Sequence, residues 1–292
     1  MEPVYRSGTK KDCRSRALVL EAAGIGYEIR EKAGERTLVV AAPDAARARA
    51  ELDAYARENR DWPTVAATLP QRAGGWRGVV GYAAVLLLVA IIEHRNMLGF
   101  DWFAAGKTNA GLIRQGHWWR AVTALSLHVD LPHLVANLVI GGLIGLFAGQ
   151  LLGSGLAWIS ILFAGTAGNL LNAWIRQPGH TSVGASTAVF AALGILAAYV
   201  WWRRPHMQAS RLSRWAPLVG GVVLLGYLGT GGARTDVLAH VTGFLSGVLL
   251  GALYGKLGDR VVLAAKVQFL LGMGALAVLA LAWTLALVHC HT

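Results

Sequence analysis

The amino-acid sequence predicts an all-α polytopic membrane bundle of about seven transmembrane helices, preceded by a small soluble α/β domain of βαββα order. Three observations lead there. Of 292 residues, 55% are hydrophobic and 15% charged, whereas soluble domains carry about a quarter charged residues. The apolar residues gather after residue 77 in runs long enough to cross the hydrocarbon core, which takes roughly 20 residues of helix. The first 75 residues, by contrast, hold a disproportionate share of the acids.

Residues 1 to about 62 form the expected soluble domain. Two strand-like runs, Gly26–Ile29 and Thr37–Val40, lie between helical patterns at Lys11–Ala23 and Pro43–Glu58, and Gly34 marks the turn between the strands. The second helix opens with Pro and is rich in Ala, both favourable there. Residues 63–77 read as a linker, polar and Gly-containing from Thr68 to Arg77. A six-helix core is expected over 78–255, with spans at 78–95, 132–152, 155–174, 185–202, 216–231 and 236–255. A loop and an additional helix, 264–288, complete residues 256–292. The long segment 96–131 carries Trp102, Phe103, Trp118 and Trp119, an interfacial composition that predicts a partly inserted loop.

The net charge of +11 does not indicate a nucleic-acid partner, because no basic stretch has interleaved aromatics and the Lys and Arg sit mostly between apolar runs. The charges report orientation instead. Arg203, Arg204, Arg211 and Arg214 follow the fourth span, and Lys256, Arg260 and Lys266 follow the sixth. The positive-inside rule puts these linkers, and with them the N-terminal domain, in the cytoplasm. Lys107, Arg114 and Arg120 count against this, but the two inner linkers are denser in charge. A multi-pass protein of a bacterial cytoplasmic membrane is expected. Cys13 and Cys290 lie at opposite ends of the chain and form no disulfide framework, and the N-terminus lacks the apolar run of a signal peptide.

Polar side chains inside spans are costly and are functional candidates by default. Here they are His133 and Asn137 in the second span, Ser186 in the fourth and His240 in the sixth. Ser186 lies 17 residues before Arg203 and His240 lies 16 before Lys256. At about 1.5 Å per residue, both therefore sit roughly 25 Å from the charged boundary, at one level near the opposite surface. A serine hydroxyl is a weak nucleophile until a base removes its proton, and an imidazole does this near neutrality. Asn137, His133 and the Ser186 backbone N–H are candidate donors to a developing oxyanion. Asp236 precedes His240 by a turn and is expected nearer the surface, so a Ser–His dyad is the better reading than a triad. Gly243, Gly247, Gly251 and Gly255 recur at intervals of four after His240, and such small residues let membrane helices approach closely.

These residues resemble a known family. Gly184-Ala185-Ser186-Thr187-Ala188-Val189-Phe190-Ala191 looks like the rhomboid GxSx nucleophile segment, and Ala239-His240-Val241-Thr242-Gly243 like that family's AHxxG motif. His133 to Asn137 matches its HxxxN, Trp119-Arg120 its loop-one WR pair, and Gly168-Asn169-Leu170 fits its third span. The resemblance covers about 78–255, and the last span resembles a six-plus-one arrangement. It implies an intramembrane serine endopeptidase that cuts single-span or multi-span membrane proteins in or beside their membrane segments, prefers small residues at the cleavage point, and uses no metal or cofactor. Thr187 replaces a Gly after the nucleophile, and Phe190 stands where some members have Tyr. Phe190 lies one turn below Ser186, within reach of the His240 ring.

Three other functions compete. A catalytically inactive relative that binds transmembrane clients would typically have lost the Ser or the His. A transporter would show inverted repeats with helices broken at the midplane, and no such repeat is present. A zinc protease would need HExxH within a span, and Glu93-His94 lacks the second His. His117 and His128 read as structural, and the terminal His289-Cys290-His291 is not read as a metal site.

Overall fold

The computed structural model describes residues 1–32, 34–60, 72–203, 211–229 and 235–289. Residues 63–71 of the expected linker, Arg204, Cys290 and His291 lie outside these, as do the side chains of Arg211 and Arg214. The chain divides into two compact units, Met1–Ala66 and Ala67–Thr292.

The first unit runs β1 (Glu2–Ser7), α1 (Lys10–Ala22), β2 (Tyr27–Lys32), β3 (Glu35–Val40) and α2 (Ala45–Glu58). The strands form an antiparallel sheet of order β1-β3-β2. Thr9 caps α1 by accepting from the Asp12 N–H, and Pro43 sits in a short 3-10 turn before α2. Both helices lay small and aliphatic side chains on the sheet. Cys13, Ala17 and Leu20 of α1 and Ala48 and Leu52 of α2 bury against Leu38 and Val40 of β3. The sequence pattern delimits β2 and β3 through their alternation but gives no bounds for β1, whose EPVYRS interleaves polar and apolar residues without an apolar face.

The second unit is helical. It comprises α3 (Trp76–His94), α4 (Trp102–Gly106), α5 (Ala110–Arg114), α6 (Arg120–Thr123), α7 (Leu131–Leu152), α8 (Ser154–Ile175), α9 (Ser186–Arg203), α10 (Arg211–Gly229), α11 (Val237–Leu257) and α12 (Ala265–Val288). Six of these, α3, α7, α8, α9, α11 with its 3-10 extension, and α12, are long and apolar enough to cross a membrane. The fifth expected span falls on α10, whose apolar stretch is only Trp215–Tyr227.

The segment 96–131 folds into three short helices and departs from the interfacial reading at two positions. Trp102 and Trp119 are buried in a cluster with Val89, Val122, Leu127 and Trp283, whereas Trp118 is exposed. The physical reason is α12. Its Trp283 and Ala286 supply an apolar wall that no local pattern in the loop reveals.

α9 is the most buried helix of the bundle and packs on α7, α8, α10 and α11. Its contact with α11 is made by backbone. A Cβ added at Gly243, Gly247 or Gly251 would fall on the carbonyl of Thr187, Ala191 or Ile195 respectively. Polar side chains tie neighbouring helices: Thr242 Oγ1 donates to the Gly168 carbonyl at 2.9 Å, and Ser160 and Tyr254 share a 2.7 Å hydrogen bond. Such bonds contribute about 0.6–2 kcal/mol each in membrane bundles.

Candidate active site

Ser186 is the first residue of α9 and His240 lies one turn into α11. The glycine contact between these helices brings Ser186 Oγ and His240 Nε2 to 2.8 Å. Phe190, one turn below the serine, stacks on the imidazole with ring centroids 4.5 Å apart. Both side chains open onto a cleft of about 940 Å³, lined also by His133, Asn137, Asn169, Arg176, His180 and Asp236.

Gly184 explains how the chain enters α9. Its φ of +134° is a conformation that side-chain-bearing residues rarely adopt, and a Cβ there would lie 2.7 Å from His133 Cε1. The His133 ring therefore lies directly on this glycine, beside Ser186. Its Nδ1 is buried with no partner among the described residues. Asn137, only 6% exposed, sits one turn further along α7 and donates one amide proton to the His133 carbonyl at 2.9 Å. Its second amide proton remains available. Ser186, His240, His133, Asn137, Gly184 and Phe190 thus meet at one place.

Trp119 and Arg120 do not reach it. Trp119 is 7% exposed within the α12 cluster, and its indole stacks near His117 and His289. Arg120 donates to the carbonyls of Ala104 at 2.9 Å and Lys107 at 3.1 Å, bracing α4 against α6. Gly243 and Gly247 are likewise structural in position, seating α11 on α9.

Two features beside the dyad escape a reading of spans alone. Asp236 caps α11 by accepting from the Ala239 N–H, and its carboxylate also receives Arg176 at 2.8 Å, His180 at 2.7 Å and Asn172 at 2.6 Å. Burial opposes ionisation, but these three donors together hold the carboxyl down at about 2. This cluster clamps the start of α11 to the end of α8 and to the segment leading into Ser186. An Asp immediately before the apolar run of a helix is an N-cap signature, but its partners at 172–180 follow no sequence spacing. The second feature is His128. Burial first, and then the neighbouring His133, push its imidazole down to about 3, so it is neutral and offers Nε2 to the Ala185 N–H at 3.4 Å.

Six helices long and apolar enough to cross a membrane, two of them carrying a hydrogen-bonded serine and histidine, define a polytopic membrane protein. Residues 115–257 match the family model of the Rhomboid domain. Over that stretch, just under half of its length, the chain is similar to the rhomboid family. Rhomboid-like protease 3 of Toxoplasma gondii is 35% identical over 140 residues, 47% of this chain and 52% of that protein. Rhomboid protease GluP of Bacillus subtilis is 29% identical over 157 residues, 52% of this chain and 29% of the relative. Rhomboid-like protein 11, chloroplastic, of Arabidopsis thaliana is 31% identical over 150 residues, 48% and 53% of the two chains. The matched stretch spans about half, or less, of these relatives' own length.

Proposed function

We propose that this chain is an intramembrane serine endopeptidase that cleaves transmembrane segments of other membrane proteins with a Ser186–His240 dyad. The 2.8 Å separation of Ser186 Oγ and His240 Nε2 carries the reading. In its neutral form with the proton on Nδ1, His240 accepts the serine proton as Oγ attacks the scissile carbonyl carbon. The oxyanion is met by the Ser186 N–H, which as the first residue of a helix has no intrahelical acceptor, by the free Asn137 amide proton, and by the His133 ring. Protonated His240 then delivers its proton to the leaving amine. A water from the polar cleft, deprotonated by the same imidazole, attacks the acyl-enzyme ester and releases the second product.

Cleavage of a panel of labelled single-span substrates by purified protein in liposomes tests this. Wild type should cut at least one substrate and react with a fluorophosphonate probe, and Ser186→Ala should do neither. Equal cleavage by both would place the nucleophile elsewhere. No cleavage and no labelling by either would favour the inactive, client-binding alternative.

The basic residues Lys256, Arg260 and Lys266 at the junction of α11 and α12 support an orientation with residues 1–62 on the cytoplasmic side of the membrane. On that orientation the cleft opens toward the outer surface. A reporter fused before Met1 that is active only when cytoplasmic checks it.

A further inference from the structure

A second cavity, of about 520 Å³, lies away from the dyad cleft, between α3, α8 and α12. Its body is apolar, lined by Val85, Leu86, Ile161, Phe269, Met273 and Leu276. Its far end reaches Ala185 and Ala188, the residues on either side of the Ser186-Thr187 pair. The near end differs in kind. Arg72 and Arg77 line it, and among the described residues neither is paired with a carboxylate. The Arg72 guanidinium makes a 3.5 Å contact to the Leu263 carbonyl, and its backbone N–H donates to the Gln150 carbonyl at 2.8 Å.

The backbone adds to that charge. α3, α8 and α12 all begin at this end, at Trp76, Ser154 and Ala265, and in none does the N-cap residue supply a side-chain hydrogen bond. The three starts are adjacent: Ser154 Oγ donates to the Gly74 carbonyl at 2.9 Å, and Gln268 Oε1 accepts from the Leu156 N–H at 2.8 Å. Uncapped helix starts present N–H groups and partial positive charge. Two guanidinium groups with no carboxylate partner among the described residues, over the starts of α3 and α12, make a positive mouth on an apolar slot.

We propose that this slot binds one anionic phospholipid from the bilayer, with its phosphate at Arg72 and Arg77 and an acyl chain running between α3 and α12 toward Ala185. The occupant follows from charge and shape. A guanidinium pair matches a phosphodiester. The volume falls within the range of small-ligand sites, about 300–1,000 Å³, and is too narrow for a helix about 10 Å across. Gly81 and Gly272 leave the slot open, since a Cβ at Gly81 would meet nothing within 4 Å and one at Gly272 only the Gly155 Cα at 3.9 Å.

Native mass spectrometry of the full chain in detergent, titrated with phosphatidylglycerol, with phosphatidylcholine of the same acyl chains, or with soluble glycerol phosphate, tests the assignment. Wild type should retain one phosphatidylglycerol at least ~10-fold more tightly than phosphatidylcholine, and glycerol phosphate should not displace it. Arg72→Gln with Arg77→Gln should remove that preference with thermal stability unchanged, while Arg95→Gln at the opposite end of α3 should keep it. Gly272→Leu, which fills the slot, should weaken both lipids. Equal retention of the two lipids by wild type, an unchanged preference in the double variant, or displacement by glycerol phosphate would each overturn the proposal. If the double variant is unstable, the Gly272→Leu result decides: undiminished lipid binding would rule out the slot.

Discussion

At Asp236, one carboxylate joins four donors from three parts of the chain, and this sets how the molecule responds to acid. Its pKa is held at about 2, below the ordinary 3.8, and its side chain is only 10% exposed. A depressed carboxylate stabilises the fold above its unfolded pKa and loses that contribution as pH falls through the folded value. The window is therefore about pH 4 down to 2, and the contribution is on the order of 2 kcal/mol. Asp236→Asn should lower the thermal midpoint by several degrees at pH 7 and flatten its fall between pH 4 and 2. Identical pH profiles for variant and wild type would show that the clamp contributes nothing. Asn137→Ala should lower turnover about 10- to 1000-fold without abolishing it, because one oxyanion donor contributes roughly 2–4 kcal/mol at most. Single-turnover cleavage checks this, and an unchanged rate would remove Asn137 from the oxyanion site. The sequence made Ser186 and His240 legible because an ionisable or nucleophilic group inside an apolar run needs a reason to be there. Arg176 and His180 gave no such signal. They lie in a polar connection where such residues are ordinary, and only the fold shows them converging on a buried acid.

Among the elements, α9 and α11 carry the site, and the interval-four glycines predicted their contact from sequence. Gly247→Val should therefore cut the cleavage rate on the order of 100-fold, since its side chain would fall on the Ala191 backbone and displace the dyad by an ångström or more. Leu249→Val, on a residue 73% exposed on the lipid-facing side of α11, should be close to neutral. Thermal denaturation measured beside the kinetics separates lost geometry from lost folding. A wild-type rate for Gly247→Val would mean the helices have slack at that level. The elements that sequence placed less well are those whose partners are distant. α10 is bounded by composition that shades from basic to apolar and contains Pro217, so its ends follow no periodic signal. The tryptophans of the first loop read as interfacial because Trp commonly is, but α12, more than 140 residues away in sequence, covers Trp102 and Trp119.

For the whole molecule, the two units carry separate cores. Leu20, Leu38 and Val40 close the first, and every residue proposed for chemistry lies in the second. Deleting residues 1–62 should leave a folded membrane core that still cleaves in detergent at a rate within a few-fold of the full chain. A monodisperse truncation with no activity would instead make the first unit part of the catalytic apparatus. Leu38→Ala should unfold or loosen the first unit, at a cost of about 2–5 kcal/mol, and leave the thermal midpoint of the membrane core where it was. Differential scanning calorimetry resolves the two transitions.

The carbonyls of Thr187, Ala191 and Ile195 face Gly243, Gly247 and Gly251 like teeth in matching notches, each series repeating every four residues. Four residues of helix advance about 6 Å. A slide of α9 along α11 by less than that drives a carbonyl into a Cα, so the intermediate positions are forbidden and the next permitted one is a full notch away. The distance from Ser186 to His240 is therefore indexed rather than tuned: thermal motion can rock the two helices about the rack, but cannot creep them out of alignment along it.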